Sequence, residues 1–377
     1  MKIIVDENIP YGREAFATLG EVITRPGRAI SPEDVRDAAL LLVRSITKVN
    51  AALLEGSAVR FVATATIGED HIDSAWLASK GIGFSSAPGC NANSVGEYIV
   101  AAILHLAAKH GLNLEGMSLG VVGVGNVGSN VARKAVALGM NVVLNDPPLA
   151  EATGDVKYRP LDEILVCDFV TTHVPLTKEG PHRTVHLVDA EFLSRMKPGS
   201  FLLNTARGPV CDNGALLDCL KRDHLRGAVL DVWEGEPDVR LDVLDAVDIA
   251  TPHIAGYSFD GKVNGTRQIY EAACNYLGVP AGWSVDALLP PPDHPVLRLD
   301  GAAGDLKRAV DTVYPLLDDD ARMRAIKEEP ADGRAAYFDM LRKTYPRRRE
   351  FQNTVVTLAK PDTALNSPLQ GIGFRVQ

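Results

Sequence analysis

The segment that decides the fold is VVGVGNVGSNVARKAVALGMNVVLND, which spans Val121–Asp146. An apolar strand leads into Gly123, Gly125 and Gly128, and an amphipathic helix and a second apolar strand follow. Glycines at this spacing allow a tight turn, a close approach of a pyrophosphate to the backbone, and close packing of the helix on the strand. The N–H groups at the start of such a helix attract phosphate. The segment therefore predicts a dinucleotide-binding βαβ unit.

The acid at the end of this segment indicates which dinucleotide is bound. Asp146 follows Gly128 at roughly the 20-residue distance at which such units carry a ribose-binding acid. Its carboxylate could accept both ribose hydroxyls and would repel a 2′-phosphate, so NAD is favoured over NADP. We expect six residues of the unit to contact the cofactor: Gly123, Gly125, Asn126, Val127, Gly128 and Asp146. The alternative is a glycine-rich turn between strand and helix that binds no ligand.

The composition is that of an acidic globular protein. Its 377 residues suffice for two or three domains, and the net charge of −9 argues against nucleic acid or an anionic membrane as the main partner. The sequence has no run of 18 apolar residues, and Met1 and Lys2 lead directly into the strand-like IIVDE rather than a signal peptide. Its five cysteines form no CxxC pair, which is typical of reduced thiols. We therefore expect a cytoplasmic protein.

Apolar runs alternate with helix-like stretches over most of the chain, which predicts an α/β protein with parallel sheets. Five runs without a glycine fingerprint predict a smaller open sheet: Lys2–Val5, Glu21–Thr24, Leu40–Val43, Phe61–Ala63 and Gly83–Ser85. Six further runs predict a complete Rossmann sheet: Leu119–Val122, Asn141–Leu144, Asp168–Thr172, Ser200–Asn204, Ala228–Val232 and Asp248–Ala250. A long helix begins near Asn93. Another, from about Asp260 to Leu277 and ended by Gly278, is expected to pack back on the first domain.

A proline run at Leu288–Pro292 predicts a linker, and the residues beyond it have a pattern of their own. A helix around Asp305–Leu317 and two strand-like runs, Thr354–Leu358 and Ile372–Val376, predict a small α+β module. The predicted domains are therefore residues 1–92 with 257–285, residues 93–256, and residues 286–377.

Polar residues follow the last three strands of the predicted Rossmann sheet, at the edge where ligands bind in such folds. They are Arg207 in NTARGPV, Asp231 and Glu236 in LDVWEGEP, and His253 in TPHIAGY. Oxidation of a 2-hydroxy acid needs a base for the hydroxyl proton, such as His253, and a cation for the carboxylate, such as Arg207. Glu236 could hold the other imidazole nitrogen. Taken singly, each residue also has a structural explanation: a loop histidine, a helix-capping arginine or a strand-end acid.

Several stretches resemble those of a known family: VDENIP (5–10), LLVRSITKVN (41–50), ATIGEDHID (65–73), SSAPGCNAN (85–93), DVWEGEP (231–237) and TPHIAGYSFDGKVNGT (251–266). Over about residues 1–280 the chain resembles the D-isomer-specific 2-hydroxyacid dehydrogenases. VRSIT, APGCNAN and HIAGYS, together with the C-terminal module, narrow the resemblance to one member of this family, which acts on a phosphorylated acid. The resemblance implies a Rossmann NAD-binding domain, a flavodoxin-like substrate domain and a C-terminal dimerisation domain, and hence a homodimer.

The resemblance also implies roles for individual residues. Arg207, Glu236 and His253 correspond to the family's catalytic residues. Four residues match substrate-contacting positions or add charge beside them: Arg44, Ser45, Thr66 and Tyr257. Further cofactor contacts are implied at Val174, Ala206, Asp231 and Gly256. No metal is expected, because His182 and His186 lack the further ligands of a zinc site.

The implied function is the NAD-dependent oxidation of a small phosphorylated 2-hydroxy acid at C2. Two alternatives remain open. One is another dehydrogenase of the family, acting on 3-phosphoglycerate or on glyoxylate- and hydroxypyruvate-like substrates, and the other is a non-catalytic NAD-sensing scaffold. A cationic run, Arg347–Arg349, is a candidate for binding the substrate phosphate, within one subunit or across the dimer. A solvated surface run is the alternative explanation of these arginines.

Overall fold

The computed structural model describes residues 1–360 and 362–377. The chain divides into two compact units, the first made of Met1–Asn91 and Ser258–Pro291, the second of Ala92–Tyr257 and Pro292–Gln377. One boundary between them lies in the proline run for which the sequence predicts a linker. The C-terminal segment, residues 292–377, groups with the nucleotide-binding residues in the second unit. The division into three domains therefore stays a prediction.

The strands are β1 (Lys2–Asp6), β2 (Glu21–Arg25), β3 (Leu40–Val43), β4 (Phe61–Thr64), β5 (Gly83–Ser85), β6 (Ser118–Val122), β7 (Asn141–Asn145), β8 (Phe169–Thr172), β9 (Phe201–Asn204), β10 (Gly227–Leu230), β11 (Ile249–Ala250), β12 (Val296–Leu299), β13 (Val355–Leu358) and β14 (Arg375–Val376).

The helices are α1 (Gly12–Phe16), α2 (Pro32–Val35), α3 (Ala51–Leu54), α4 (Ser74–Ser79), α5 (Ala92–His110), α6 (Asn126–Ala137), α7 (Pro147–Thr153), α8 (Leu161–Leu165), α9 (Ala190–Arg195), α10 (Asn213–Lys221), α11 (Leu241–Ala246), α12 (Phe259–Leu277), α13 (Asp305–Val313), α14 (Leu316–Arg324), α15 (Arg334–Lys343) and α16 (Thr363–Ile372).

The first unit contains a parallel five-stranded sheet in the order β2-β1-β3-β4-β5. This is the flavodoxin-like strand order, so that prediction is confirmed. The helix α12 buries Ile269 and Tyr270 in one apolar cluster with Ile3, Leu40 and Phe61 of the sheet. The expected packing of this helix back on the first domain is therefore also confirmed, and Gly278 ends the helix in a left-handed conformation (φ 68°).

The second unit contains a parallel six-stranded sheet in the order β11-β10-β9-β8-β6-β7. Each of the six predicted Rossmann strands is present, with ends that differ by at most two residues. This strand order corrects one detail of the predicted complete Rossmann sheet. In the standard Rossmann fold, the third strand lies beside the second one, at the edge of the sheet. Here that place is taken only by a single parallel bridge between Leu144 and Tyr158. The third full strand, β8, instead lies on the other side of β6.

The C-terminal segment carries a parallel three-stranded sheet, β12-β13-β14, and the helices α13 to α16. The predicted helix Asp305–Leu317 is too long, since α13 ends at Val313. Pro315 explains the break, because a proline restricts the residue before it to an extended conformation, and Tyr314 has φ −132° and ψ 84°. The strand β12 is not among the predicted elements.

The second strand expected in this segment is also shorter than predicted. Ile372 is the last residue of α16, Gly373 follows it with a positive φ of 124°, and only Arg375–Val376 form a strand. The run from 372 to 376 therefore contains a helix end, a glycine turn and a short strand. Within residues 1–360 and 362–377, no helix combines the length and apolar character needed to cross a membrane.

Candidate active site

The candidate site lies at the carboxyl edge of the six-stranded sheet, where neighbouring strands end in register. Val122 pairs with Thr172, and Thr172 pairs with Asn204. Asn204 in turn pairs with Leu230, and Leu230 with Ala250. Ligands bind at this edge in open parallel sheets, near the point where the strand order reverses. The loops that follow these strands carry the candidate cofactor and catalytic residues.

The glycine-rich turn after β6 has the geometry that a dinucleotide requires. Gly123 has a φ of 87°, and a methyl group on Gly128 would lie only 1.9 Å from the carbonyl oxygen of Gly123. A methyl group on Gly125 would meet nothing within 4 Å, so the space beside this residue is open. Gly125 is the N-cap of α6, whose first residues are Asn126 and Val127. The residues present therefore fit a pyrophosphate at the start of α6.

Asp146 lies directly against the glycine-rich turn. Its Oδ2 accepts a hydrogen bond from the backbone N–H of Val124 at 2.8 Å, and its Oδ1 caps α7 by accepting from Leu149 N–H at 3.0 Å. Val174, after β8, packs on the other side of the turn, where its Cγ1 would lie 2.8 Å from a methyl group on Gly123. The carboxylate is thus held half-buried at the end of β7, the position of a ribose-binding acid.

His253 and Glu236 form a hydrogen-bonded pair. His253 Nδ1 lies 2.6 Å from Glu236 Oε1, and the two side chains are 28% and 26% exposed. Glu236 Oε2 accepts from the backbone N–H of Trp233 at 3.1 Å, which fixes the carboxylate. Burial raises the pKa of Glu236, but His253, the backbone N–H of Trp233 and Arg342 together lower it by more, so that the net change is downward. The pair leaves Nε2 as the imidazole nitrogen available to a substrate.

Asp231 organises the loop that carries His253. Its buried carboxylate accepts hydrogen bonds from Thr251 Oγ1 at 2.7 Å, from Ile254 N–H at 2.7 Å and from Ala255 N–H at 3.0 Å. Burial raises the pKa of this carboxyl group. His253 itself has a φ of 57° and donates its backbone N–H to the carbonyl oxygen of Asp231 at 2.7 Å. A side chain is rarely held at such a φ without this kind of support.

Arg207 lies on the loop after β9, which packs on the loop that carries Glu236. A methyl group on Gly208 would lie 1.9 Å from the carbonyl oxygen of Trp233, so the two loops touch through their backbones. Arg207 is half-buried and donates from Nη1 to the carbonyl oxygen of Ala206 at 2.8 Å. Asn204 fixes the loop by accepting from Ala206 N–H at 3.0 Å. Arg207, Glu236 and His253 are therefore carried by loops after adjacent strands.

The candidate substrate residues of the first unit also follow adjacent strand ends, since Val43 pairs with Thr64. Arg44 is half-buried, and its Nη1 is buried without a hydrogen-bond partner in the described part of the chain. Ser45 is exposed. Thr66 Oγ1 lies 2.7 Å from the hydroxyl of Thr64 and donates to the carbonyl oxygen of Gly68 at 3.1 Å. A guanidinium nitrogen without a protein acceptor is a donor that a bound anion can satisfy.

Tyr257 and Gly256 follow His253 closely, and Tyr257 contacts side chains of the C-terminal segment. Its ring meets the ring of Tyr345 edge-on, with centroids 5.8 Å apart, and the guanidinium carbon of Arg342 lies 5.8 Å from its centroid. Arg342 is not among the residues predicted from the sequence, because no signal there distinguishes it from other cations at the end of a helix.

The arginine run at 347–349 is not a uniform surface patch. Arg348 is buried, donates from Nη1 to Glu97 at 2.5 Å and from Nη2 to Ser94 at 2.8 Å, and stacks on Tyr314. This residue therefore has an internal partner in α5. Arg347 is exposed and Arg349 is buried, and their contribution to phosphate binding stays a prediction.

Two other features of the sequence have ordinary surroundings. His182 Nε2 lies 3.1 Å from Glu151, and His186 Nε2 lies 2.5 Å from Glu234. Among residues 1–360 and 362–377, no group of three or more histidine, cysteine, aspartate or glutamate side chains is arranged to hold a metal ion. All five cysteines lie in the described part of the chain, where they are buried and form no disulfide.

Comparison with known proteins identifies the family. The sequence model for the NAD-binding domain of D-isomer-specific 2-hydroxyacid dehydrogenases matches residues 100–255, and a domain of unknown function matches residues 288–373. Two proteins named erythronate-4-phosphate dehydrogenase, from Salmonella arizonae and Escherichia coli O157:H7, are 47% and 46% identical to the chain. Each alignment covers 99% of this chain and 98% of the relative.

A solved structure supports the fold. D-lactate dehydrogenase from Aquifex aeolicus, complexed with NAD and lactic acid, is 28% identical and aligns with a TM-score of 0.59 over 73% of this chain and 95% of its own. NAD is thus the cofactor of the second unit, and both the family resemblance and its narrower form are confirmed. The chain belongs to the D-isomer-specific 2-hydroxyacid dehydrogenase family, and within it to the group of the erythronate-4-phosphate dehydrogenases.

Proposed function

We propose that the protein catalyses the NAD-dependent oxidation of 4-phospho-D-erythronate at C2. The product is (R)-3-hydroxy-2-oxo-4-phosphooxybutanoate, an intermediate in the biosynthesis of pyridoxal 5′-phosphate (vitamin B6), and we place the reaction in the cytoplasm. The observation that carries the proposal is the His253–Glu236 pair at the carboxyl edge of a Rossmann sheet. The name and coverage of the relatives support the choice of substrate.

His253 acts as the general base in this reaction. Its Nδ1–H donates to Glu236, so Nε2 carries the lone pair that accepts the proton of the C2 hydroxyl. Glu236 stabilises the imidazolium that forms, and its lowered pKa keeps the carboxylate ionised. Arg207 binds the C1 carboxylate with its planar guanidinium, which also polarises the C2 oxygen. When bound, NAD would supply the acceptor for the hydride that leaves C2.

The cofactor is held by backbone and side-chain groups along the carboxyl edge of the sheet. Asp146 would accept hydrogen bonds from the ribose hydroxyls, and the open space beside Gly125 would receive the pyrophosphate. The remaining proposed contacts are Gly123, Asn126, Val127, Gly128, Val174, Ala206, Asp231 and Gly256. Arg44, Ser45, Thr66 and Tyr257 contact the substrate. The unpartnered Nη1 of Arg44 supports a role in anion binding.

The proposed function is tested by NADH formation with three acids: 4-phospho-D-erythronate, 3-phospho-D-glycerate and D-glycerate. A 2-oxo acid is added as an alternative electron acceptor, so that an enzyme purified with bound NADH still turns over. We expect a clear preference for 4-phospho-D-erythronate. Preferred turnover of another acid would mean that this acid is the substrate, while the type of reaction stays as proposed. Bound cofactor without turnover of any acid would favour the NAD-sensing scaffold.

We further propose that the protein is a homodimer formed through the C-terminal segment. Two observations support this: β12 is an edge strand of its sheet, and Val296 on that strand is 53% exposed. Leu317 and Met340 in the same segment are also exposed. One chain has a mass of 40.5 kDa, and sedimentation equilibrium at micromolar concentration should give twice that mass. A mass equal to that of one chain would contradict the proposal.

A further inference from the structure

Arg342, at the end of α15, belongs to the C-terminal segment yet lies beside residues of the candidate active site. Its guanidinium carbon is 5.8 Å from the ring centroid of Tyr257 and 6.0 Å from that of Phe338. Tyr257 follows the loop of His253, and a second residue of the segment, Tyr345, packs against the same ring. The C-terminal segment thus forms one side of the surroundings of Tyr257.

Not every N–H donor of the Arg342 guanidinium has a hydrogen-bond acceptor in the described part of the chain. Its side chain is 20% exposed, and Asp339, one turn earlier in α15, lies at 4.0 Å from Nη1. That distance is at the outer limit for an ion pair and beyond hydrogen-bond range. Its Nε is buried and has no hydrogen-bond partner in the described part of the chain. A guanidinium has five N–H donors, so the exposed part of this side chain can donate to an anion.

The charge of Arg342 also acts on Glu236, the carboxylate that is paired with His253. Burial lowers the pKa of Arg342, but Tyr257, Glu236 and Asp339 together raise it by more. In turn Arg342 contributes to lowering the pKa of Glu236, after burial and the larger effect of His253. An anion bound by Arg342 would therefore lie within electrostatic range of the His253–Glu236 pair.

We propose that Arg342 binds the phosphate of the substrate and so makes the enzyme specific for phosphorylated acids. The inference rests on the proposed function. A 2-hydroxy acid that is phosphorylated at its far end carries an anion on each side of the reacting carbon. Arg207 takes the carboxylate, and Arg342 supplies a second planar fork of donors, the geometry that matches phosphate oxygens. The hydroxyl of Tyr257 adds a further donor beside it.

The test compares Arg342→Met with Lys343→Met, using 4-phospho-D-erythronate and unphosphorylated D-erythronate. Lys343 is the matched control, because it is an exposed cation at the next position of the same helix. Loss of a charge-assisted hydrogen bond predicts that Arg342→Met raises KM for the phosphorylated acid roughly 10- to 100-fold. With D-erythronate, which lacks the phosphate, the loss caused by Arg342→Met should be much smaller than with the phosphorylated acid. The kinetics of Lys343→Met should stay as in the wild type, and the KM of Arg342→Lys should lie between those of the wild type and Arg342→Met.

Equal losses with both acids would show that Arg342 only positions Tyr257, and unchanged kinetics would show that it touches no substrate; either result overturns the proposal. Calorimetric titration of the NAD-loaded protein with inorganic phosphate provides a readout that does not depend on turnover. Phosphate should bind to the wild type and to Lys343→Met with similar affinity, and to Arg342→Met with lower affinity. Equal affinity in all three proteins overturns the proposal. If the wild type binds phosphate but does not oxidise 4-phospho-D-erythronate, the proposed substrate is wrong while Arg342 remains a phosphate ligand.

Discussion

The short contact between His253 and Glu236 determines which imidazole nitrogen faces the substrate. Because Nδ1 lies 2.6 Å from the carboxylate, the proton lies on Nδ1 and Nε2 remains basic. Asp231 holds the loop in place through three hydrogen bonds, and the positive φ of His253 is part of this arrangement. The two acids thus have different roles, since Glu236 orients the base, whereas Asp231 orients the backbone on which the base is carried.

His253→Ala should lower kcat about 10²- to 10⁴-fold, because the variant loses the general base. Glu236→Gln should also lower kcat, since an amide can orient the imidazole but cannot stabilise the imidazolium that forms. Stopped-flow measurement of NADH formation gives the rate, and quenching of tryptophan fluorescence by NAD gives the affinity. NAD affinity should be retained in both variants. Loss of NAD binding in both would mean that the pair maintains the fold rather than the chemistry.

At the level of secondary structure, two glycines of the glycine-rich turn meet different requirements: Gly128 is needed for packing, and Gly125 for binding the ligand. Gly128 is needed for the packing of α6 on β6, since a methyl group there would lie 1.9 Å from the carbonyl oxygen of Gly123. Gly125 is not needed for the fold, because the space beside it is empty and its φ of −70° suits any residue. The close approach of a pyrophosphate to the backbone explains a glycine at this position.

Alanine substitutions at these two glycines should therefore have different effects. Gly125→Ala should leave the urea midpoint unchanged and raise the dissociation constant for NAD about 10- to 100-fold, because the methyl group displaces the pyrophosphate from its hydrogen bonds. Gly128→Ala should destabilise the protein by at least about 1–3 kcal/mol, because of the overpacking against Gly123. Urea denaturation and NAD titration of both variants check this. A destabilised Gly125→Ala protein with normal NAD affinity would contradict the assignment.

The eleven strands of the two larger sheets could be predicted because buried parallel strands are continuous apolar runs, and the runs end at turn residues. The predicted helix Asp305–Leu317 is too long because its apolar pattern continues past Pro315, whereas the backbone cannot. The bridge at Tyr158, which takes the place of a strand, could not be predicted from the sequence. A single paired residue produces no apolar run and no alternating pattern. Local patterns thus predict where elements form, but not how one element substitutes for another.

In the candidate site, Arg207, Glu236 and His253 could be predicted because each follows a strand end. Arg342 could not, because its position beside Tyr257 depends on how a distant helix packs. The arginine run is conspicuous in the sequence, yet burial decides its chemistry, and the partner of Arg348 is Glu97. Charge runs in a sequence therefore say little until the burial of each member is known.

For the molecule as a whole, a buried ionic network ties the C-terminal segment to the rest of the second unit. Glu97 in α5 accepts from Arg348 at 2.5 Å and from the backbone N–H of Phe351 at 2.7 Å. Asn93 donates to Glu350 at 2.8 Å, and Lys134 donates to the carbonyl oxygen of Ile372. Buried charges are stable only when they are paired or hydrogen-bonded, so these contacts tie the C-terminal segment to α5 and α6.

Arg348→Met should destabilise the protein by about 3–5 kcal/mol, because it leaves the buried Glu97 without its partner. The double variant Arg348→Met/Glu97→Gln should recover part of this loss, since both charges are gone. Urea denaturation of the two single variants and the double variant completes the cycle. Additive losses would mean that the two residues do not act as a pair.

The same pair predicts a pH dependence of stability. Burial raises the pKa of Glu97 from 4.5 to about 7, against the opposing charge of Arg348. A carboxyl group whose pKa is raised on folding contributes stability that is fully present below pH 4.5 and lost as the pH rises through about 7. The stability of the wild type relative to Glu97→Gln should therefore decrease between about pH 5 and pH 8. A difference that is constant over this range would contradict the raised pKa.

The order in which the two units are assembled from the chain has a consequence for biosynthesis on the ribosome. The first unit is interrupted after Asn91 and resumes at Ser258, so α12 emerges only after most of the second unit. At about 5–20 residues per second, the delay is on the order of ten seconds. During that time the face of the first sheet that α12 will cover, including Ile3, Leu40 and Phe61, is exposed in the nascent chain. Nascent chains of this protein should therefore be clients of the chaperones that shield apolar surface until translation has passed Leu277.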